Sequence, residues 1–587
     1  ARCAADIYCG TGMLNTILTG DGRKVGLMVT RGFEDITVME GGLTYLGQSQ
    51  SEALHQQLHK HTRPLVDASN VVSVSERLGG GCYQGDVHLP AGHSLIPVNE
   101  RQVREGANKL LDQGCEVIGI LFIYSFVDPR HEHQARDIVE SIIKDRALEV
   151  PVVCSADVEP VAKENSRLKS LMFQCFAAEQ VRESLMGVER EAQAQGFEGR
   201  LLTLLSYGGA VNMEYPRLYE TMISGPIGGL IGAQFVADTL NIENIVTADM
   251  GGTSFDIGIV TEGQEKHYDF QPVIDRWLVS VPMIHLVTLG AGGGSIAHYD
   301  RLYDRIKIGP ESAGSDPGPA CYGRGGTNAT VTDADLLLGY LDEENYANGR
   351  IKLSRKRAER AIKKNLGEHI DGEVIAIAKT IKENVDHQMA NGITTELRSR
   401  GYAPNEFTML AYGGNGPLHC CGIARALGIE RVLAPPFASV FSALGAGNVD
   451  QLHIHEKSTY TVLFDTAMKT ILTDYTRLNN TIEELEKRGR EDLIRQGVDP
   501  TAICHRTDFD MRYGNQRVET PVSTDIARFS SIHDVLALIK QFHQRYGEQF
   551  GEGSQATESG IRINTVRVST YVDIGKVNFG NIKALEE

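Results

Sequence analysis

Two aspartates bracket a short run of glycines and hydroxyl residues, Asp249-Met-Gly-Gly-Thr-Ser-Phe-Asp256. Gly251 and Gly252 carry no side chain, so their backbone can approach a ligand closely and reach positive φ. Successive N–H groups in such a turn form a concave anion site, and the hydroxyls of Thr253 and Ser254 add donors. Phosphate oxygens suit that chemistry. A carboxylate such as Asp249 repels phosphate directly but can hold a divalent cation that bridges to it. Magnesium is usually bound by one or two carboxylates, water and substrate phosphates. The alternative is a glycine hairpin with a hydroxyl-rich tip. A second cluster, Gly413-Gly-Asn-Gly-Pro417, follows the apolar run Phe407–Tyr412 and opens a helical pattern through Leu427. A helix N-terminus offers free N–H groups and a positive dipole end to a flat or anionic ligand. The competing reading there is a tight turn needed for packing.

These residues need a framework. Ile245-Val246 and Ile257–Val260 flank the first loop as two antiparallel strands. Up to about residue 175 the pattern alternates: strands at Val25–Thr30, Val117–Val127 and Val152–Cys154, with helices at Asn99–Gln113 and His133–Ile143 between them. That is α/β alternation. An amphipathic helix begins near residue 177, with Val181, Leu185 and Val188 on one face and Gly196 as its stop. A strand at Leu201–Leu205 follows, then glycine clusters at Ser206–Gly209, Ser224–Gly229 and Gly290–Gly294. A second long helix spans Val374–Arg400, its stripe running Val374, Ala378, Ile381, Val385, Met389, Ile393, Leu397, with Gly401 as the C′ residue. Beyond residue 450 glycine thins out, Thr476–Gln496 reads as a charged helix, and Asp508–Val522 and Ile561–Val577 read as β structure. The expected domains are residues 1–176, 177–450 and 451–587.

Composition narrows the classes. With 41% hydrophobic and 23% charged residues in 587, the chain can bury large cores. Its net charge of −18 argues against nucleic acid or an anionic membrane as partner, since both require a basic face. The longest apolar run, Val117–Val127, is too short to span a bilayer. No signal-peptide pattern is present, Ala1-Arg-Cys-Ala-Ala-Asp6 reads as an internal start, and a cytoplasmic location is expected. The ten cysteines include no C-x-x-C pair, which fits reduced, mostly buried thiols. His131 and His133 show no metal spacing and read as an exposed helix start. Ala467-Met-Lys-Thr470 is like a biotin-carrying site, but Lys469 reads as opening a helical stretch through Tyr475, so biotin is not expected.

Two glycine sites with an intervening helix in an α/β chain fit an actin-like ATPase, in which two related domains face a nucleotide cleft. The motifs go further. The chain resembles the hydantoinase A family of N-methylhydantoinases, 5-oxoprolinases, and acetone and acetophenone carboxylases. The resemblance is carried by Arg31–Asp35, Ser125–Glu132, Ser224-Gly-Pro-Ile-Gly-Gly229, Asp249–Asp256, Gly290-Ala-Gly-Gly-Gly-Ser295, Gly309–Gly314, Pro317–Gly323, Thr330–Asp335 and Tyr412-Gly-Gly-Asn-Gly-Pro-Leu-His419, in order along the chain. It implies an actin-like ATPase with a C-terminal α+β unit. Asp249 and Asp256 would be catalytic, with Asp249 holding magnesium through water. Gly251, Gly252, Thr253 and Ser254 would form one phosphate loop, and Gly413, Gly414, Asn415 and Gly416 would hold adenosine. Gly225, Gly228 and Gly229, with Gly292 and Gly293, would line the cleft. Asp333 and Asp335 are further polar candidates, with a helix N-cap as the alternative.

One departure stands out. Tyr8–Asn15 matches, in altered form, a His-Gly-Thr-Thr-like segment that normally follows a first Asp-x-Gly-Gly-Thr loop. The first strand and first phosphate loop are therefore expected to be absent, through truncation, disorder or loss. The resemblance implies a subunit of an ATP-dependent, biotin-independent ketone carboxylase acting on a ketone and bicarbonate. It implies a larger hydantoinase B-type partner, further small subunits, and manganese or another divalent metal in the partner. The alternatives are an ATP-dependent cyclic amide hydrolase and a non-catalytic nucleotide-binding scaffold.

Overall fold

The apolar run Val25–Thr30 forms a strand, β1, with all six residues buried. The computed structural model describes residues 5–39, 63–79, 92–261, 268–274, 276–370, 372–516 and 519–572, with a few single positions between 48 and 88. β1 lies in a four-stranded parallel sheet with β2 (Val71–Val74), β3 (Val117–Leu121) and β4 (Val152–Cys154), in the order β2-β1-β3-β4. Near-continuous apolar strands are what a parallel sheet covered on both faces requires. Helix α1 (Glu100–Asp112) starts where the Asn99 side chain accepts the Gln102 N–H at 3.1 Å, and it buries Val103, Ala107 and Leu110. Helix α2 (Arg130–Asp145) buries Ala135, Val139 and Ile142 in the same core.

The structure corrects three expectations here. The strand expected over Val117–Val127 ends at Leu121. The Phe122 N–H donates to Glu132 Oε1 at 2.8 Å, the Ile123 N–H to Thr30 Oγ1 at 3.0 Å, and Tyr124 takes φ 63°. Side chains thus take up the groups a strand would pair. His131 is buried against Glu76, so only His133 lies at the surface of the helix start. The helix expected from residue 177 begins earlier, as α3 (Glu164–Phe173), and passes through a π turn, Gln174–Ala178, into α4 (Glu179–Ala194). Residue 176 therefore falls within one helical run, and Val188 is exposed.

The chain divides into two units, residues 1–223, 269–283 and 450–587 in one and residues 224–268 and 284–449 in the other. The second unit begins with α5 (Gly225–Leu240) and is built on β5 (Ile245–Met250), β6 (Phe255–Ile257) and β7 (Val287–Leu289), followed by α6 (Val331–Leu337), α7 (Val374–Ser399), β8 (Thr408–Tyr412), α8 (Gly416–Leu427), β9 (Val432–Leu433) and α9 (Phe441–Ala446). The strand order is β7-β6-β5-β8-β9. β5 is antiparallel to β6 and parallel to β8, with Asp249 level with Tyr412. The α7 stripe from Ala378 to Leu397 is buried against this sheet.

The C-terminal strands β10 (Gln451–Asp465), β11 (Thr470–Ile471), β12 (Cys504–Tyr513), β13 (Thr520–Thr524) and β14 (Ile561–Val572) form an antiparallel sheet, order β11-β10-β14-β12-β13. Leu478, Ile482 and Leu485 of α10 (Thr476–Arg495) and Val535, Leu538 and Phe542 of α11 (Ile532–Phe550) complete its core. Residues 573–577, expected as strand, lie outside the described residues. Lys469 does not open a helix. It closes a four-residue turn between β10 and β11, where the Asp465 carboxylate accepts the Ala467 and Met468 N–H groups at 2.9 and 3.0 Å. Such a turn diverts backbone donors from a helix. The eight described cysteines are all free thiols, five of them buried. No described helix is long and apolar enough to cross a membrane.

Candidate active site

Register decides the geometry of the first loop. Asp249 pairs with Asp256 and Met250 with Phe255, which leaves Gly251–Ser254 as the turn, closed by the Gly251 N–H on the Ser254 carbonyl at 3.0 Å. Gly252 and Thr253 are exposed, and their N–H groups have no acceptor among the described residues. The pairing sets two carboxylates opposite each other on adjacent strands, a like-charge arrangement that costs stability unless something neutralises it.

The two aspartates differ in their partners. Asp256 Oδ1 accepts from Thr288 Oγ1 at 2.5 Å, and Oδ2 lies 3.4 Å from Ser254 Oγ. Burial raises the Asp256 pKa, opposed by those two hydroxyls. Asp249 has no hydrogen bond or ion pair among the described residues. Burial, then the charge of Asp256, pushes it up to about 7. No basic side chain among the described residues acts on either group. Among the described residues no cluster of three or more metal-ligating side chains exists. A cation here would meet one or two carboxylates and complete its shell with water and phosphate, which is the magnesium pattern.

The other two glycine segments lock onto this turn. The Gly293 and Gly294 N–H groups donate to the carbonyls of Gly251 and Gly252 at 3.1 and 2.6 Å. The Asn415 N–H donates to the Met250 carbonyl, and its Nδ2 to the Gly251 carbonyl, each at 2.9 Å. Thr332, at the start of α6, donates both its N–H and its Oγ1 to the Gly293 carbonyl at 2.7 Å. Space explains the glycines. A Cβ at 413, where φ is 79°, would sit 2.4 Å from Asp249 Oδ1; one at 292 would lie 2.6 Å from the Thr253 N, and one at 293 as close to Asn415 Nδ2. Gly414 is exposed with open space beside it, and Gly416 starts α8 against the Ala248 carbonyl. Asp249 and Gly413 thus lie at the carboxyl ends of neighbouring parallel strands, where α/β sheets bind ligands.

Ser224–Gly229 is not a loop. Ser224 is the N-cap of α5, and the glycines occupy its first turns. Gly228 and Gly229 are packing positions: added Cβ atoms would fall 2.5 Å from the Ser442 carbonyl oxygen and 2.4 Å from the Tyr412 hydroxyl. Gly225 alone of the three borders open space. Asp333 completes the capping box of α6 with Thr330, as the N-cap alternative has it. Asp335 does something else. His419 Nε2 lies 3.1 Å from Asp335 Oδ2, its Nδ1 2.6 Å from Asp386 Oδ1, and Lys382 Nζ pairs with Asp386 Oδ2 at 2.9 Å. Burial lowers the His419 pKa, but Asp335 and Asp386 outweigh it and raise it overall. This buried cluster ties α6, α7 and α8 together behind the glycine segments. Its sequence signal was Lys382 and Asp386, an i,i+4 pair beside the apolar stripe of α7.

Residues 4–143 match the hydantoinase/oxoprolinase N-terminal region, 167–455 the hydantoinase/oxoprolinase model and 465–584 the corresponding C-terminal domain. The chain belongs to the hydantoinase/oxoprolinase family. Among relatives in this family, the acetophenone carboxylase gamma subunit of Aromatoleum aromaticum is 32% identical over 92% of this chain and 73% of its own length. The acetone carboxylase beta subunit of Xanthobacter autotrophicus is 30% identical over 98% of this chain and 79% of its own. The crystal structure of an ATP-dependent caprolactamase from Pseudomonas jessenii superposes with a TM-score of 0.82 at 27% identity, covering 98% of this chain and 79% of that one. The fold is that of the hydantoinase-type ATPases, and the family's relatives include ATP-dependent carboxylases and amidohydrolases.

Proposed function

We propose that this chain is the ATP-binding subunit of a biotin-independent ketone carboxylase, and that the Gly251–Ser254 turn cradles the phosphates. The observation that carries the reading is the Asp249–Asp256 pair. Among the described residues the two facing carboxylates have no basic partner, and they border an exposed turn whose N–H donors have no acceptor. Gly252 and Thr253 donate N–H groups to phosphate oxygens, and the hydroxyls of Thr253 and Ser254 add donors. Asp249 would hold a magnesium ion, with Asp256 kept in place by Thr288, and the cation would supply neutralisation of phosphate charge. Gly414 and the start of α8 give the nucleotide a close backbone surface. The chain's own contribution is positioning and charge stabilisation while a phosphoryl group passes to an enolate or bicarbonate oxygen. The partner is a larger hydantoinase B-type subunit.

Ketone carboxylation is favoured by the two carboxylase subunits at 30% identity or above. The caprolactamase superposition favours a second reading, ATP-driven opening of a cyclic amide by the same phosphate site. The assembled complex distinguishes them. A carboxylase consumes ATP with a ketone only when bicarbonate is present, and avidin leaves it active. ATP consumption that follows a lactam, hydantoin or 5-oxoproline and ignores bicarbonate assigns the amide reaction. Consumption with neither class refutes both.

A further inference from the structure

A second constellation lies in the other unit, at the parallel sheet β2-β1-β3-β4. Ser94 Oγ is 2.9 Å from His131 Nε2, and His131 Nδ1 is 2.7 Å from Glu76 Oε2. Thr30 Oγ1 donates to Glu76 Oε1 and accepts the Ile123 N–H at 3.0 Å, which fixes the carboxylate. The side chains of Glu76 and His131 are 0% and 4% exposed, whereas Ser94 is half-buried between the exposed His93 and Leu95. A carboxylate only accepts, so Nδ1 of the neutral ring carries its proton and Nε2 is left to take one from the serine. Nucleophile, base and orienting acid therefore stand in the order and at the distances of a Ser-His-acid triad, which is recognised by geometry and roles and not by sequence order.

The location supports the chemistry independently. The chain runs from β1 to β2 on one side, then crosses to β3 on the other, so the order reverses between β1 and β3. Thr30 ends β1, Ile123 follows β3, Glu76 follows β2 and His131 lies in the first turn of α2. Thr30 at the carboxyl end of its strand, and Ile123, Glu76 and His131 just beyond the strand ends, lie by the topological switch point, the place where open parallel sheets bind ligands.

The geometry points to an acyl-transfer centre in which Ser94 is the nucleophile, His131 the base and Glu76 its orienting group, acting on ester-type acyl substrates. Ser94 Oγ attacks the carbonyl carbon while its proton passes to His131 Nε2. The departing alcohol takes that proton, leaving an acyl ester on Ser94. Water then attacks the ester, gives a proton to His131, and releases the acid as Ser94 Oγ is reprotonated. The net change is ester plus water to acid plus alcohol. The test uses the full chain and a fluorophosphonate, which phosphonylates an activated serine with loss of fluoride. The wild-type protein is expected to take one adduct, mapped by peptide mass to Ser94, and to hydrolyse p-nitrophenyl acetate with a burst. Ser94→Ala abolishes both. Glu76→Gln, which keeps the shape but not the charge, slows labelling by about 10²-fold or more. No variant is needed for the decisive result: a wild-type chain without an adduct at Ser94 overturns the assignment. So does a Glu76→Gln protein of native melting behaviour that labels at the wild-type rate.

Discussion

Replacing Asp249 with Asn should make the metal-free protein more stable and its ATP chemistry fail, two effects that a packing role could not combine. The wild-type carboxyl is pushed up to about 7 from the ordinary aspartate value of about 4, by burial and then by Asp256. A folded-state pKa above the unfolded one means that the stabilising proton is fully retained below about pH 4 and lost as pH rises through about 7. At about 1.4 kcal/mol per unit, that loss is worth up to about 4 kcal/mol. Asn carries no charge to bury, so Asp249→Asn should exceed wild type by up to this amount at pH 8 in EDTA and equal it near pH 4. Magnesium binding tells the same story in protons. Near pH 7 about half of Asp249 is protonated, so binding should release roughly half a proton in wild type and none in the variant. Urea unfolding at the two pH values, calorimetry in buffers of different ionisation enthalpy, and phosphate release in the assembled complex read the three effects. A variant no more stable than wild type at pH 8 rules out a raised Asp249 pKa, and one that keeps its ATP turnover rules out its metal role.

Gly293→Ala should lower ATP turnover by about 10²-fold, because its Cβ displaces Asn415 Nδ2 and Thr332 Oγ1, while Gly414→Ala, with nothing within 4 Å, should fold normally; steady-state kinetics of both variants check this. His419→Gln should cost about 3–5 kcal/mol of stability, as removing one member of a buried charge network does. Since the His419 pKa is raised, its contribution is present below the unfolded histidine value and lost as pH rises through the folded one. The deficit of the variant in urea unfolding should therefore narrow at high pH.

Much of the second unit was legible from sequence because it obeys local rules. The α7 stripe from Val374 to Leu397, the Gly401 stop and the strand–turn–helix at 408–427 follow from period, cap and glycine chemistry, and the structure keeps them within a residue or two. The Asp249–Asp256 hairpin was equally readable, since two apolar runs flank a turn only glycine suits. Local rules failed where a distant side chain claimed the backbone. Glu132 and Thr30 end the strand at Leu121, and Asp465 turns the chain before a helix can start at Lys469. Glycines 228 and 229 looked like ligand contacts because a residue with no side chain gives the same signal whether a phosphate or a helix approaches it; the neighbours Ser442 and Tyr412, more than 180 positions away, decided between them. Residue types and their nearest neighbours suffice to say which side chains can do chemistry and which short segments bend. Which carboxylates face each other, which of them have no basic partner among the described residues, and which serine, histidine and glutamate meet at 94, 131 and 76 depend on strand order and register, which contacts between residues far apart in the chain set.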